Sequence, residues 1–342
     1  MRISSIRAWQ PQFSDAPQDW RMTLGQILVE VTLASGEKGI GVGGGGKSGV
    51  HVIDTVLKEC LLETDMDTPH SLHKVMCDHT SFYGRKGLVP MAISGVDLAI
   101  WDAYGKSVGK SVYELLTDVP PPAVLPMYQT VFDDAEAELA IKDGKQAVKL
   151  HVERFGDRPK PEEIGELVRS TRMRLGEGKA IMLDAFGRWN VDTTLAVAHE
   201  INQYDVEWIE EPVRPDQLED YATLNRESPI PIAGGEHEYL EEGFLALAAS
   251  KAVSVFQPDI NWCGGLTSLI QIYRIAEDAA IRVVPHRGSE PYSLPAIAAL
   301  DREQPLAESA RSWFDCLNGM AEVTPAGVEL LLSPGFGVSL NT

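Results

Sequence analysis

The sequence predicts an α/β protein: a (β/α) barrel preceded by a smaller α+β capping domain. Three observations carry that expectation. From about residue 123 onward, short apolar runs alternate with amphipathic helical stretches. The proline cluster "TDVPPPAV", residues 117–124, separates this region from a differently patterned first third. The length, 342 residues, exceeds the roughly 250 that a (β/α)8 barrel occupies alone.

In chain order, "ILVEVTLASGEKGIGVG" holds two β-rich runs around Gly36, which predicts a hairpin. Apolar residues recur every three to four positions from Val52 to Leu62 and again in "AISGVDLAIWDAYGKSV", a helical period. After the prolines, "VLPMYQT", "AVKLHV", "AIMLDAF", "VEWIEEP", "IPIAGGEHE", "SVFQPDI" and "IRVVPHRG" read as strands, with helices such as "TTLAVAHEINQY" and "GLTSLIQIYRIAEDAA" between them. Strands alternating with helices imply a parallel sheet, and seven or eight such units in about 200 residues favour a closed barrel. The expected domains are residues 1–122 for the cap and 123–317 for the barrel. Chemistry then belongs at the C-terminal ends of the barrel strands.

The formal net charge of −20 excludes a nucleic-acid partner, which needs clustered Lys and Arg. An anionic substrate would need local positive charge, from a metal or a few aimed cations. Cys60, Cys77, Cys263 and Cys316 lack CxxC spacing and read as buried thiols in a reducing compartment. "MRISSIRAWQ" has no apolar signal core, and no run approaches the roughly 20 apolar residues of a membrane span. A soluble, cytoplasmic protein without a membrane partner is expected.

The predicted strands end on Lys149 and His151, then Asp184, Glu210, Glu236, Asp259 and His286, with Glu308 in "PLAES" as the candidate on the last strand. Positions 184, 210 and 236 are spaced 26 apart, one βα unit each time, so three consecutive strands present a carboxylate to one face. Three converging hard oxygen ligands suit Mg2+. In "EWIEEPV", Glu210 would bind the metal and Glu211 would support it from behind. Asp259 and His286 end neighbouring strands, so a hydrogen bond between them would fix the imidazole tautomer and make a general base.

With these residues in place, the chain resembles the enolase superfamily, and within it the mandelate racemase subgroup. "AISGVDLAIWDAYGKSVGKSVYELL" resembles the end of that subgroup's capping domain, and "PGFGVSL" its returning C-terminal strand, so that residues 318–342 would complete the cap. "FYGRKGL", "GGEHEY", "QPDINWCGGLT" and "VVPH" look most like the acid-sugar dehydratases of the family. The resemblance implies an enolase-type barrel and Mg2+ held by Asp184, Glu210 and Glu236. It implies Asp259 with His286 as the base dyad, Glu308 hydrogen-bonded to an enolate, and Lys149 supplying positive charge. The chemistry implied is abstraction of the proton α to a carboxylate, then loss of the 3-hydroxyl to give a 2-keto-3-deoxy acid. The substrate would be a small carboxylate, and the assembly a homo-oligomer.

The chain departs from the pattern at two strands. Lys149-Leu150-His151 stands where the racemase pattern has Lys-x-Lys, so a base on the second face would be His151; with His286 opposite, racemisation or epimerisation is the alternative reaction. Asp184-Ala185-Phe186 stands where many members have Asp-x-Asn. His237, Trp20 and Lys47 are candidates for contacting substrate. "GVGGGGKS", residues 41–48, also satisfies the phosphate-loop pattern, which makes nucleotide binding a remote alternative. The reading preferred for its four glycines is a mobile lid over the barrel mouth.

Overall fold

The computed structural model describes residues 1–11, 21–62, 64–65, 67–288, 290–309 and 316–341, with Arg21 by its backbone alone. Trp20 lies outside the described residues.

The cap begins with an antiparallel sheet of Ile3–Trp9, Ile27–Leu33 and Lys38–Gly43, the middle strand pairing with both others. Gly36, at φ 106°, makes the predicted hairpin turn. Helix Leu88–Val108 lies directly on the third strand. Here the glycine run finds its use. A Cβ added at Gly39 would sit 2.0 Å from the Ala99 carbonyl oxygen, and one at Gly41 2.1 Å from that of Gly95. Every second residue of the strand faces the helix, so alternate glycines let the two backbones touch. This corrects the expectation of a mobile lid: glycines 39, 41 and 43–46 are buried packing residues. It also removes the phosphate-loop context, because the strand before the loop is an edge of an antiparallel sheet. Lys47 is exposed in the first turn of helix Gly46–Val52 and makes no ion pair among the described residues.

The barrel strands are Met127–Val131, Ala147–His151, Ala180–Asp184, Val206–Glu210, Ile232–Gly234, Val255–Phe256, Arg282–Val283 and Ala307–Glu308. All pairings are parallel and sequential, and the eighth strand returns to the first through Ala307 with Met127 and Glu308 with Tyr128. Among the described residues no ladder joins the seventh strand to the eighth. "VLPMYQT" is divided: Val124–Leu125 leaves the barrel and pairs with Gly327–Glu329. Side chains of Tyr128, Ala147, Met182, Trp208, Ala233 and Val255 pack together inside the barrel. The period of two then dictates the site. Lys149, Asp184 and Glu210 each stand two residues after an inward residue of the same strand, so they point inward one layer nearer the mouth.

"PGFGVSL" returns to the cap through the Phe336 amide, which donates to Asp102 at 2.8 Å, although its strand Ser339–Leu340 pairs with Leu317–Asn318. All four cysteines are free thiols; only Cys263 is buried, and the other three are partly exposed. Among the described residues no helix is long and apolar enough to cross a membrane.

The cap also caps a barrel helix. Helix Gly265–Ala279 starts at Gly264, which has no side chain, and Asp97 of the cap helix takes that role by accepting from the Thr267 amide at 2.9 Å and its hydroxyl at 2.8 Å. Gly265 is required beneath it, since a Cβ there would lie 2.5 Å from the Asp97 carboxylate. Burial pushes the Asp97 carboxyl up to about 7 despite these hydrogen bonds. Nearby, burial pushes the His73 imidazole down to about 4, although it shares a hydrogen bond with the Gly264 carbonyl. The Asp97 contribution to stability is full below its ordinary 3.8 and is lost as pH rises through about 7. That of His73 is full above 6.5 and is lost as pH falls through about 4. We therefore expect the Asp97→Asn protein to gain stability on the parent by up to about 1.4 kcal/mol per pH unit between about pH 4 and 7. Denaturant titrations across that range check this, and parallel curves for the two proteins would contradict it.

Candidate active site

The strand ends assemble one polar cluster at the mouth of the barrel. At its floor the Lys149 ammonium, 1% exposed, lies 2.5 Å from Glu210 Oε1, 3.1 Å from Glu308 Oε1 and 3.5 Å from Asp184 Oδ2. Burial alone would depress this lysine, but Glu210, Glu308 and Asp184 outweigh it and hold the ammonium well above its ordinary value. Lys149 is therefore a fixed positive charge surrounded by three carboxyl groups.

One cation does not balance the acids. Burial first, and then the charges of Asp184 and Glu308, push the Glu210 carboxyl up to about 8, although Lys149 pulls the other way and Gln257 donates to Glu210 Oε2. Burial likewise raises Glu236, with Glu211 and Asp184 adding to it and His286 and His237 opposing. Asp184 thus acts on both glutamates, which places all three carboxylates in one electrostatic neighbourhood. Such a surplus of buried negative charge suits a hard divalent cation, and the oxygen donors are of the right kind.

Glu211 differs from expectation. Its backbone takes φ 39°, so the residue after Glu210 also turns toward the mouth, where both carboxylate oxygens lie 2.9 Å from His237 Nδ1. Glu211, Glu236 and His237 each offer a ligand atom within 4.8 Å of the others. Glu210, by contrast, is turned to Lys149 and Gln257. Glu211 therefore supports His237 and not Glu210.

On the other side, Asp259 is fully buried and its Oδ2 accepts from His286 Nδ1 at 2.9 Å. His286 Nε2 faces the cluster, 3.5 Å from Glu236 Oε1. Burial alone would lower this imidazole, but Glu236 and Asp259 draw it up to about 9. Arg287, buried and at φ 52°, donates through Nε to the same Asp259 oxygen at 3.0 Å, while its amide donates to Glu308 Oε2 at 3.0 Å. Glu308 also accepts from the Thr130 hydroxyl at 2.5 Å. Burial would raise Glu308, but Lys149 and His286 prevail and hold it well below the usual carboxylate range. It is thus held as an ionised acceptor, whereas a hydrogen bond to an enolate needs a donor, so that expected role requires it to gain a proton first.

His151 Nε2 lies 4.0 Å from Asp184 Oδ2, between the rings of Phe132 and Phe186. From the cap, Lys86 reaches the buried Glu238 at 2.9 Å and ties the "FYGRKGL" loop to the barrel. Gln257, Arg287 and Lys86 were missed as site residues, although each lies in or beside a motif singled out above.

Family models match most of the chain. Residues 133–342 match the enolase C-terminal domain-like model, and residues 20–117 the mandelate racemase / muconate lactonizing enzyme N-terminal domain. The chain belongs to the mandelate racemase subgroup of the enolase superfamily. Among its relatives in this superfamily, an L-rhamnonate dehydratase of Saccharopolyspora erythraea is 34% identical, over 99% of this chain and 89% of that protein. Among solved enolase-superfamily structures, rhamnonate dehydratase from Gibberella zeae complexed with Mg superposes with a TM-score of 0.84 at 26% identity, covering 99% of this chain and 94% of that one. A racemase from Streptomyces coelicolor with bound magnesium gives 0.87 at 26% identity, covering 99% and 97%.

Proposed function

We propose that this protein is a Mg2+-dependent hydro-lyase that dehydrates an acid sugar to its 2-keto-3-deoxy acid, with L-rhamnonate the first acid to test. The observation that carries the reading is the placement of His286. Nδ1 is committed to Asp259, so the ring keeps Nε2 toward the carboxylate cluster, where a substrate's C2 would lie. The dehydratase relative and the Mg-complexed structure support it.

Asp184, Glu210 and Glu236 would hold the magnesium, which supplies positive charge to an enolate dianion in a chain of net charge −20. Once it has shed the proton that Glu236 and Asp259 favour on it, His286 takes the C2 proton at Nε2, and Asp259, itself held by Arg287, keeps the ring oriented and compensates the imidazolium. The imidazolium then gives a proton to the departing 3-hydroxyl. Lys149 keeps Glu210 and Glu308 in place beneath the reacting carbons.

A second reading, racemisation or epimerisation, is favoured by His151 beside Asp184. A library of acid sugars with Mg2+, assayed for 2-keto-3-deoxy acid with semicarbazide, tests the proposal. Dehydration of at least one aldonate is expected. Exchange of the C2 hydrogen in D2O with no loss of water would replace it with the racemase reading.

A further inference from the structure

Six rings follow one another around the barrel mouth: Phe132, His151, Phe186, His237, Trp262 and His286. Successive centroids are 5.4, 5.6, 6.4, 5.8 and 6.1 Å apart. The three imidazoles belong to the site already described, and Trp262 is buried. Phe132 and Phe186 are different, being 50% and 42% exposed beside a cluster of carboxylates that gains nothing from apolar neighbours. Phe186 is set further apart by its backbone. At φ 53° it occupies the left-handed region, which a bulky residue takes only when its surroundings impose it. Its ring contacts His151 and His237 and joins no core cluster, so packing gives no return for that conformation. Strained, open to solvent and two residues beyond Asp184, the ring is placed to meet whatever enters the site.

We propose that Phe186, with Phe132 on the other face of His151, forms an apolar platform that selects acid sugars whose tail is deoxygenated at its terminal carbon over those hydroxylated or carboxylated there. This rests on the reading of the site as one that binds an acid sugar by its carboxylate. With C1 and C2 at the acidic cluster and His286, the tail crosses the rings. A methyl group there buries apolar surface against the Phe186 ring, a gain on the order of 10- to 200-fold for one such group. A hydroxyl forfeits that gain and loses water. A second carboxylate meets the field of the buried acids as well.

Binding is measured by calorimetry with Mg2+ on the His286→Asn protein, so that turnover does not interfere. The probes are L-rhamnonate against L-mannonate, which differ only by a hydroxyl at C6, and L-fuconate against L-galactonate, which differ in the same way. The deoxy member of at least one pair should bind about tenfold tighter or more. Adding Phe186→Asn or Phe186→Ala should shrink the difference to about threefold or less. Asn accepts a left-handed backbone, so Phe186→Asn should raise the melting temperature, and its lost preference could not be laid to unfolding. Equal affinity within both pairs, tighter binding of the hydroxylated acids, no binding of any of the four, or a preference untouched by both variants overturns the proposal. Preference for a deoxy acid that the wild-type protein never dehydrates supports the platform while removing the hydro-lyase reading.

Discussion

His286→Asn should lower kcat for dehydration by about 10^3-fold or more while leaving KM within a few-fold. A positioned base contributes about 10^2 to 10^4, and here the same ring is also the acid that serves the leaving hydroxyl, so both proton transfers are lost together. Asparagine can still donate to Asp259 from its side-chain amide, which keeps that buried carboxylate and Arg287 in place. The melting temperature should therefore stay close to that of the parent. Loss of activity with an intact fold and near-normal KM is the pattern of a group acting in the transition state. Turnover within about tenfold of wild type would remove His286 as the base.

Glu236→Gln should be nearly as damaging to activity and yet favourable to the metal-free fold. The carboxylate is buried, is crowded by Glu211 and Asp184, and lies 3.5 Å from His286 Nε2. Its neutral replacement removes a buried charge that the protein leaves poorly compensated, so the metal-free variant should melt above metal-free wild type at neutral pH. It should also lose the rise in melting temperature that Mg2+ gives the wild-type protein, since a ligand stabilises only what it binds. Activity should fall by about 10^3-fold. An unchanged thermal response to Mg2+ would remove Glu236 from the metal site.

Much of this site was legible because barrel geometry converts sequence into space. Inward residues recur at every second position of a strand, and parallel strands in sequence order bring their C-terminal ends to one mouth, so Asp184, Glu210 and Glu308 gather around Lys149 while Glu236 stands beside His286. What escaped reading depends on backbone angles and on neighbours distant in sequence. Glu211 turns toward the mouth only because its own φ is positive. Arg287 acts on the Asp259 carboxylate of the strand before it and on Glu308 of the strand after it, and a sequence does not show which acid a buried arginine will choose. The glycine run misled for a simpler reason. A missing side chain leaves room either for motion or for another backbone, and only the helix lying against Gly39 and Gly41 decides between them. Likewise, Asp97 caps a helix through the amide of Thr267, 170 residues away along the chain.

The most direct test follows the hydrogen at C2. An acid sugar that the enzyme dehydrates is prepared with deuterium at C2 and incubated with Mg2+ in ordinary water. Wild-type protein should release the label to solvent in step with product formation, and the His286→Asn protein should release none above background. Release by that variant at the wild-type rate, or product that retains the full label at C3, would contradict proton abstraction by this imidazole beside the three carboxylates.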